Sequence, residues 1–560
     1  MNKNRRSILR HTALVVFAAI CLAAYLATGS RPSGQPPWYS VVPPLLAITM
    51  ALATGRIFLS LAAAVIVGGA LSLPGDATGW TERLSRGTGA KFVYDSVTDV
   101  ESQLILLYVV LIMAMISVML VGGGLQGVAH WLMKFARSAR STRMVTFIAG
   151  LVIFIDDYAN TMIVGSTFRP MTDQQRISRE KLAFLVDATA APIAGLAVIS
   201  TWIGVEVSYL SKEAAQLGLE QSGYAIFFDA LGFRFYCILM IAFVFFNVLS
   251  GKDFGPMAKA ERRARKHGKL LDDDARPMTS RSLSASEPHP EARIRAAVAL
   301  VPMAGVLIGF LALLWHDGGG PAQWAADRWS ILRLSAWREV LSKANSVPLL
   351  AYASGLGFVL AAILAKTMAR IPLAALVKAA LVGVRSSLFP VTVLVLAWSL
   401  KGVCTDLQTG EFMAGVVSDA FPPLFFPALV FILAGLTSFA TGTSWGTMGI
   451  LIPIAIPVAF HLDGDVYGLI TVISVAAILD GAIFGDHCSP ISDTTIMSST
   501  ASSCDHLAHV RTQMPYSLVV AAIALGAGYL PTAMGVPQWA GIGSGVAVSG
   551  LLFLGLRGKG

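Results

Sequence analysis

Apolar runs long enough to cross a hydrocarbon core recur from one end of this 560-residue chain to the other. About 20 such residues suffice for one helical crossing. A bilayer offers backbone groups no water, so a chain patterned this way folds into membrane helices that satisfy their own hydrogen bonds. About ten to thirteen spans are expected, the range set by runs that Gly, Pro or charge interrupt. Composition agrees: 13% of residues are charged and 55% hydrophobic, against about 25% charged in soluble domains. The expected fold class is an all-α polytopic membrane protein, and a soluble enzyme is excluded.

Within that background two tracts are crowded with carboxylates, amides and hydroxyls. Phe154-Ile155-Asp156-Asp157-Tyr158-Ala159-Asn160-Thr161 lies in the first half. Gly485-Asp486-His487-Cys488-Ser489-Pro490-Ile491-Ser492-Asp493-Thr494-Thr495 lies in the second. An ionised Asp at the centre of a membrane helix costs about 2.5–3.5 kcal/mol on insertion scales, so these carboxylates point to a path for cations or protons. Residues 186–202 and 436–448 are unusual in the same way, rich in Gly, Ser, Thr or Pro. Non-helical backbone at membrane depth survives only inside protein or along a water-filled cavity. Broken helices or re-entrant hairpins are therefore expected, with unwound carbonyls and helix C-termini able to hold Na⁺ and helix N-termini favouring anions.

Read as a helix, the first tract puts Asp157 on one face with Asn160 and Thr161, while Asp156 also reaches Asn160. A carboxylate with an amide and a hydroxyl is the oxygen-rich set that hard cations take. The plainer alternative is a helix end capped by Asp and Asn. Asp187 precedes Pro192 in an apolar run ending at Ser200, Thr201 and Trp202; it either joins the transport path or pairs with Arg179 or Lys181. Asp480, Asp486 and Asp493 recur through the second region with Ser489, Ser492, Thr494 and Thr495, although membrane-helix hydroxyls also satisfy their own backbone. Thr443 and Ser444 belong to Thr441-Gly442-Thr443-Ser444-Trp445-Gly446-Thr447, a counterpart of the Asp-Asp tract that either lines the pathway or packs helices closely. His487 beside Asp486 suits proton handling or hydrogen bonding. His487, Cys488, Cys504, His506 and His509 match no common zinc spacing, and residues 504–509 read as a loop.

The basic residues behind the net charge of +9 sit in loops between spans, as the positive-inside bias produces, so no nucleic-acid partner is expected. Lys134, Arg137, Arg140 and Arg143 form one basic loop, and the longest hydrophilic stretch, 251–293, holds several more. Both are expected to be cytoplasmic, with the N-terminus and the tail carrying Arg557 and Lys559. The apolar run 13–27 reads as an uncleaved first helix, and the Ser- and Pro-rich stretch 272–290 as a tether. The five cysteines are scattered and form no disulfide framework. The expected organisation is residues 1–40, a first transporter repeat 41–250, a cytoplasmic linker 251–294 and a second repeat 295–556. Two pattern matches support the repeat: Ala191-Pro192-Ile193-Ala194 with Ser489-Pro490-Ile491-Ser492, and Thr161-Met162 with Thr447-Met448.

The Asp-Asp tract, the stretch from Arg176-Ile177-Ser178-Arg179-Glu180-Lys181-Leu182 to Ser200-Thr201-Trp202, and the Gly485–Thr495 tract resemble the NhaC-type sodium/proton antiporters of the wider ion-transporter superfamily. The resemblance implies a bacterial inner-membrane secondary transporter exchanging Na⁺ for H⁺. It also implies two pseudosymmetric halves whose hairpins meet near the bilayer midplane; the expected arrangement is an inverted repeat, which turns on the span count. Asp157 with Asn160, and Asp486 or Asp493 with Ser492 and Thr494, are then the candidate ligands for transported Na⁺. No cofactor is expected beyond the transported Na⁺ and H⁺, and no partner beyond small cations and the lipid bilayer, with a homodimer one possible assembly. Related families move organic acids. Arg169, Arg176 and Arg179 flank the first tract, so exchange of an organic acid with Na⁺ and protons is the alternative. A channel is disfavoured because two dissimilar tracts in one chain do not build a ring of pore ligands. A membrane enzyme is disfavoured because no nucleophile elbow or phosphate loop is present.

Overall fold

The computed structural model describes residues 36–54, 56–73, 80–277, 288–409, 411–412, 422–490 and 492–556. The apolar run 13–27, the centre of the tether (278–287) and the basic tail lie outside the described residues. Among the described residues the secondary structure is helical and no strand occurs; a single bridge pairs Pro277 with Asp505. Ten helices among the described residues are long and apolar enough to cross a membrane, within the expected range. The chain is an all-α polytopic membrane protein.

Polar N-caps interrupt the apolar sequence at four places and decide where the helices break. Helix α1 (Ala139–Val152) stops before Asp156, which caps α2 (Asp157–Gln174) by accepting from the Ala159 amide. After a turn comes α3 (Arg179–Asp187), and the chain then stays irregular, apart from one turn at Ala191–Ala194, until Ser200 caps α4 (Thr201–Leu217). Helix α5 (Phe235–Ser250) and the basic helix α6 (Gly255–His267) follow. In the second half α7 (Phe426–Thr441) ends at Gly442, whose φ of 69° is left-handed, and Thr443 caps α8 (Ser444–Leu462). Helix α9 (Leu469–Cys488) breaks before Ser492, the cap of α10 (Asp493–Ala501), and α11 (His506–Ile523) closes the region. A side-chain oxygen satisfying the first free amides makes each break specific. The order helix, break, helix, helix, break, helix is common to both halves, which is the extent of the internal likeness visible in the fold.

One large apolar core draws on both halves, with Phe184, Trp202 and Ile203 from the first and Ile452 and Leu479 from the second. Helices α7 and α9 approach most closely where Gly481 and Gly485, four residues apart, remove side chains from the seam. A Cβ on Gly485 would lie 2.1 Å from the Gly435 carbonyl oxygen and 2.7 Å from the Phe439 nitrogen. Backbone cannot yield as a side chain can, so Gly485→Ala is expected to destabilise by about 1–3 kcal/mol, read as an earlier thermal unfolding of the detergent-solubilised protein.

At one end of the bundle the hydrophilic stretch packs into the fold. Glu261 of α6 pairs with Arg143 of α1 at 3.4 Å and accepts from the Ser178 amide and hydroxyl, each at 2.8 Å. Arg263 reaches Glu180 at 2.8 Å, and Lys181 reaches Asp253 at 2.5 Å. The two basic segments therefore lie on the same side. The expected loop at 504–509 is corrected: Asp505 caps α11 through the Ala508 amide, which places His506 and His509 in its first turns.

Candidate functional site

The adjacent aspartates of the first tract part company at the N-terminus of α2. Asp156 is held by the Ala159 amide (2.7 Å) and the Thr201 hydroxyl (3.0 Å), while the Thr201 amide donates to the Ile155 carbonyl at 2.9 Å. It laces the two first-half breaks together. Asp157, the first residue of α2, faces instead into a cavity of about 20 Å³, room for one water or one small ion. Asp486 and Asp493 line the same cavity with Thr443, Ser444 and Thr494. Its aromatic wall is Tyr158, Trp202, Trp445 and Phe389, the two tryptophans edge to face at 6.0 Å.

The cavity thus gathers the ends of four broken elements. Asp157 and Asp493 each occupy the first turn of a helix, where the helix dipole offsets part of the cost of a buried negative charge. Tyr158 donates its hydroxyl to Asp493, and Ser444 donates to Asp486 Oδ2 at 2.9 Å. Asp486 Oδ1 is buried with no hydrogen-bond partner. No basic side chain is among the lining residues, so three carboxylates face a small space with one oxygen left unsatisfied. A cation or a proton completes such a set; an apolar or anionic occupant does not.

The remaining candidates take other places. Asn160 donates to the carbonyls of Gly150 (2.7 Å), Ile153 (3.0 Å) and Thr189 (3.1 Å), which braces both first-half breaks. It does not line the cavity. Thr161 returns to its own helix at the Tyr158 carbonyl, 2.9 Å away. The expected grouping of Asp157, Asn160 and Thr161 around one point does not form. Ser200 accepts from the Trp202 and Ile203 amides as a cap. Ser489 donates to the Phe439 carbonyl at 2.6 Å, and the Ser492 cap shares a 2.9 Å hydrogen bond with Thr494.

Asp187 pairs with neither Arg179 nor Lys181. It accepts from Gln513 (2.6 Å), Ser498 (3.1 Å) and Thr495 (3.3 Å), tying α3 to α10 and α11 behind the cavity. His487 meets the Tyr236 hydroxyl at 2.9 Å, and Ser499 bridges His506 (3.1 Å) and His509 (2.9 Å). Asp480 lies apart from the cavity, held by Arg234 and by the Tyr236 amide and Tyr529 hydroxyl. Arg169 and Arg179 are engaged with Ser503 and Asp173.

Sequence reasoning missed Tyr158, Trp202, Trp445 and Phe389 as cavity residues, and Gln513, Glu206 and Arg234 as buried polar partners. Three of the aromatics lay inside the quoted tracts, where they read as apolar background. Phe389 sits in an ordinary apolar helix (Leu388–Asp406) and carried no local signal.

Ten candidate spans among the described residues, with a small cavity lined by three carboxylates drawn from both halves, describe a multi-pass membrane transporter. Residues 193–530, more than half of the chain, match the Na⁺/H⁺ antiporter family, and the chain belongs to it, in agreement with the resemblance carried by the polar tracts. An uncharacterised protein of Haemophilus influenzae is 29% identical over 493 residues, covering 88% of this chain and 90% of the relative. A malate-2H⁺/Na⁺-lactate antiporter of Bacillus subtilis is 40% identical over 96 residues, 17% of this chain and 19% of the relative. The fold is similar to the YdaH transporter of Alcanivorax borkumensis, with a TM-score of 0.53 at 14% identity over 89% of this chain and 99% of that one.

Proposed function

We propose that this protein exchanges Na⁺ or Li⁺ for H⁺ across the bacterial inner membrane by alternating access, with Asp157, Asp486 and Asp493 as the carboxylates that hold the cation. The observation that carries the reading is the charge of the cavity: three carboxylates drawn from both halves, one oxygen of Asp486 unpartnered, and no basic lining residue. Burial disfavours an ionised carboxylate that has no cation beside it. A departing Na⁺ is therefore replaced by H⁺, and opening the cavity to one side at a time converts that competition into exchange. Ser444 and Thr443 supply neutral oxygens, and Trp202 and Trp445 form part of the aromatic wall. The shared basic end faces the cytoplasm, with both chain termini on that side.

Exchange of an organic acid with Na⁺ and protons is the second reading. It is supported by the short stretch shared with the malate/lactate antiporter and by the helix N-termini that meet at the cavity, since such termini favour carboxylates. Purified protein in liposomes with an acidic interior and a pH-sensitive dye decides between them. NaCl or LiCl added outside is expected to alkalinise the interior and KCl is not, with the rate at least about tenfold lower in Asp157→Asn, as loss of a charged ligand predicts. A response that requires an organic acid as well as Na⁺ would establish the second reading instead.

A further inference from the structure

A second buried acidic cluster lies one helical turn from the cavity, and none of its members lines it. Glu206 follows Trp202 by four residues on α4, which places both on one face. Arg234 lies between Glu206 and Asp480, and all three side chains are buried. Asp480 is fully engaged: Arg234 Nε donates at 2.8 Å, the Tyr236 amide at 2.7 Å and the Tyr529 hydroxyl at 2.7 Å. Glu206 receives only the far side of the same guanidinium, at 3.5 Å for each contact, the outer limit of a hydrogen bond.

Two carboxylates thus share one guanidinium, leaving one negative charge in excess inside the membrane. The charged groups facing Glu206 are Arg234 and Asp480. Cys237, Tyr236 and Tyr529 complete the titratable surroundings of the cluster, and none brings a positive charge. Helix α8, packed on another side of α4, carries no Asp, Glu, Lys or Arg. On the neighbouring helices Tyr108 donates to the Ser200 carbonyl, Tyr224 donates to the Val198 carbonyl at 2.9 Å, and Asp229 accepts from Tyr467. A metal cation is a poor neutraliser beside a guanidinium, which already brings positive charge to Glu206. A proton needs no ligand set.

The cluster also touches one of the broken segments of the site. A Cβ on Gly195, in the irregular segment before Ser200, would lie 3.0 Å from Arg234 Nη2 and 2.6 Å from Ile483 Cδ1. Arg234 therefore rests on the break that leads into α4.

We propose that Glu206 is a proton-binding site of the exchange, separate from the carboxylates that hold the cation. Its Oε–H bond forms when Arg234 is held by Asp480. The proton leaves to water on the open side when rearrangement of the break brings the guanidinium fully onto Glu206. The inference rests on the exchange reading above. The H⁺-per-Na⁺ ratio, taken from the reversal condition in voltage-clamped proteoliposomes, tests it. Glu206→Gln fixes the neutral state, so the ratio is expected to fall by one proton while isotopic Na⁺ exchange persists; Glu206→Asp restores the wild-type ratio. An unchanged ratio in Glu206→Gln overturns the proposal, as does equal loss of isotopic Na⁺ exchange in a folded variant. If Glu206→Gln does not fold, a pH profile for Glu206→Asp identical to wild type overturns it and a displaced one supports it. If the wild type moves no H⁺ with Na⁺, the exchange reading itself has failed. The infrared carbonyl band of a protonated acid, present at neutral pH and lost in Glu206→Gln, then decides the protonation of Glu206 alone.

Discussion

Asp486→Asn is expected to weaken apparent Na⁺ affinity by about 10- to 100-fold and to remove most Na⁺-driven H⁺ movement while leaving the fold intact. The substitution is isosteric, so the Ser444 hydroxyl still finds an oxygen at this position; in the native protein that contact is 2.9 Å. What is lost is the charge on a residue whose other oxygen has no partner in the protein. An interaction with a charged group is worth about 1.5–3 kcal/mol, and each 1.4 kcal/mol is about tenfold in binding. Na⁺ titration of intrinsic Trp fluorescence is a direct readout, because Trp202 and Trp445 line the same cavity. Asp156→Asn is the informative contrast. Asp156 is a cap bonded to Ala159 and Thr201, so the variant should lose stability and keep Na⁺ affinity. Equal affinity losses at Asp156 and Asp486 would sink the division of roles.

Arg234→Met is expected to be the most destabilising single change considered, by about 3–5 kcal/mol, the cost of leaving buried carboxylates without their cation. Arg234 is wholly buried between Asp480 at 2.8 Å and Glu206 at 3.5 Å. Its removal leaves Asp480 with only neutral donors. Methionine fills similar volume, so the loss reports charge rather than packing. Thermal unfolding in detergent measures it, with Arg234→Lys recovering part of the loss because it keeps the charge without the fork that spans both partners. A melting curve for Arg234→Met that overlays the wild type would show that the cluster contributes no net stability.

The helical membrane class was legible from run length alone, because a bilayer leaves a continuous apolar segment few other ways to satisfy its backbone. The breaks were legible as well: Asp156, Ser200, Thr443 and Ser492 all lie in tracts that stood out by composition, and all four prove to be caps. Within the tracts, the role of each residue was not legible. Asp156 and Asp157 are neighbours of one type, yet one closes a helix end and the other faces the cavity. Asn160 shares a helical face with Asp157 at i+3, but three carbonyls brought in by the 153 and 189 breaks claim its amide. Asp480 stood in the sequence as an equal of Asp486, six residues away. Its partner Arg234 comes from a helix start 246 positions earlier.

Membrane residence, the helical class, the places where helices must break and the family all follow from local pattern, because each depends on a segment's own composition against lipid. Which carboxylates of the two halves face one another across the cavity, and that Asp480 rather than Asp486 is held by Arg234, depend on distances between segments hundreds of residues apart. Those distances are set when the two halves pack. The charge of the cavity, and hence the kind of ion it can hold, is therefore a property of the tertiary structure.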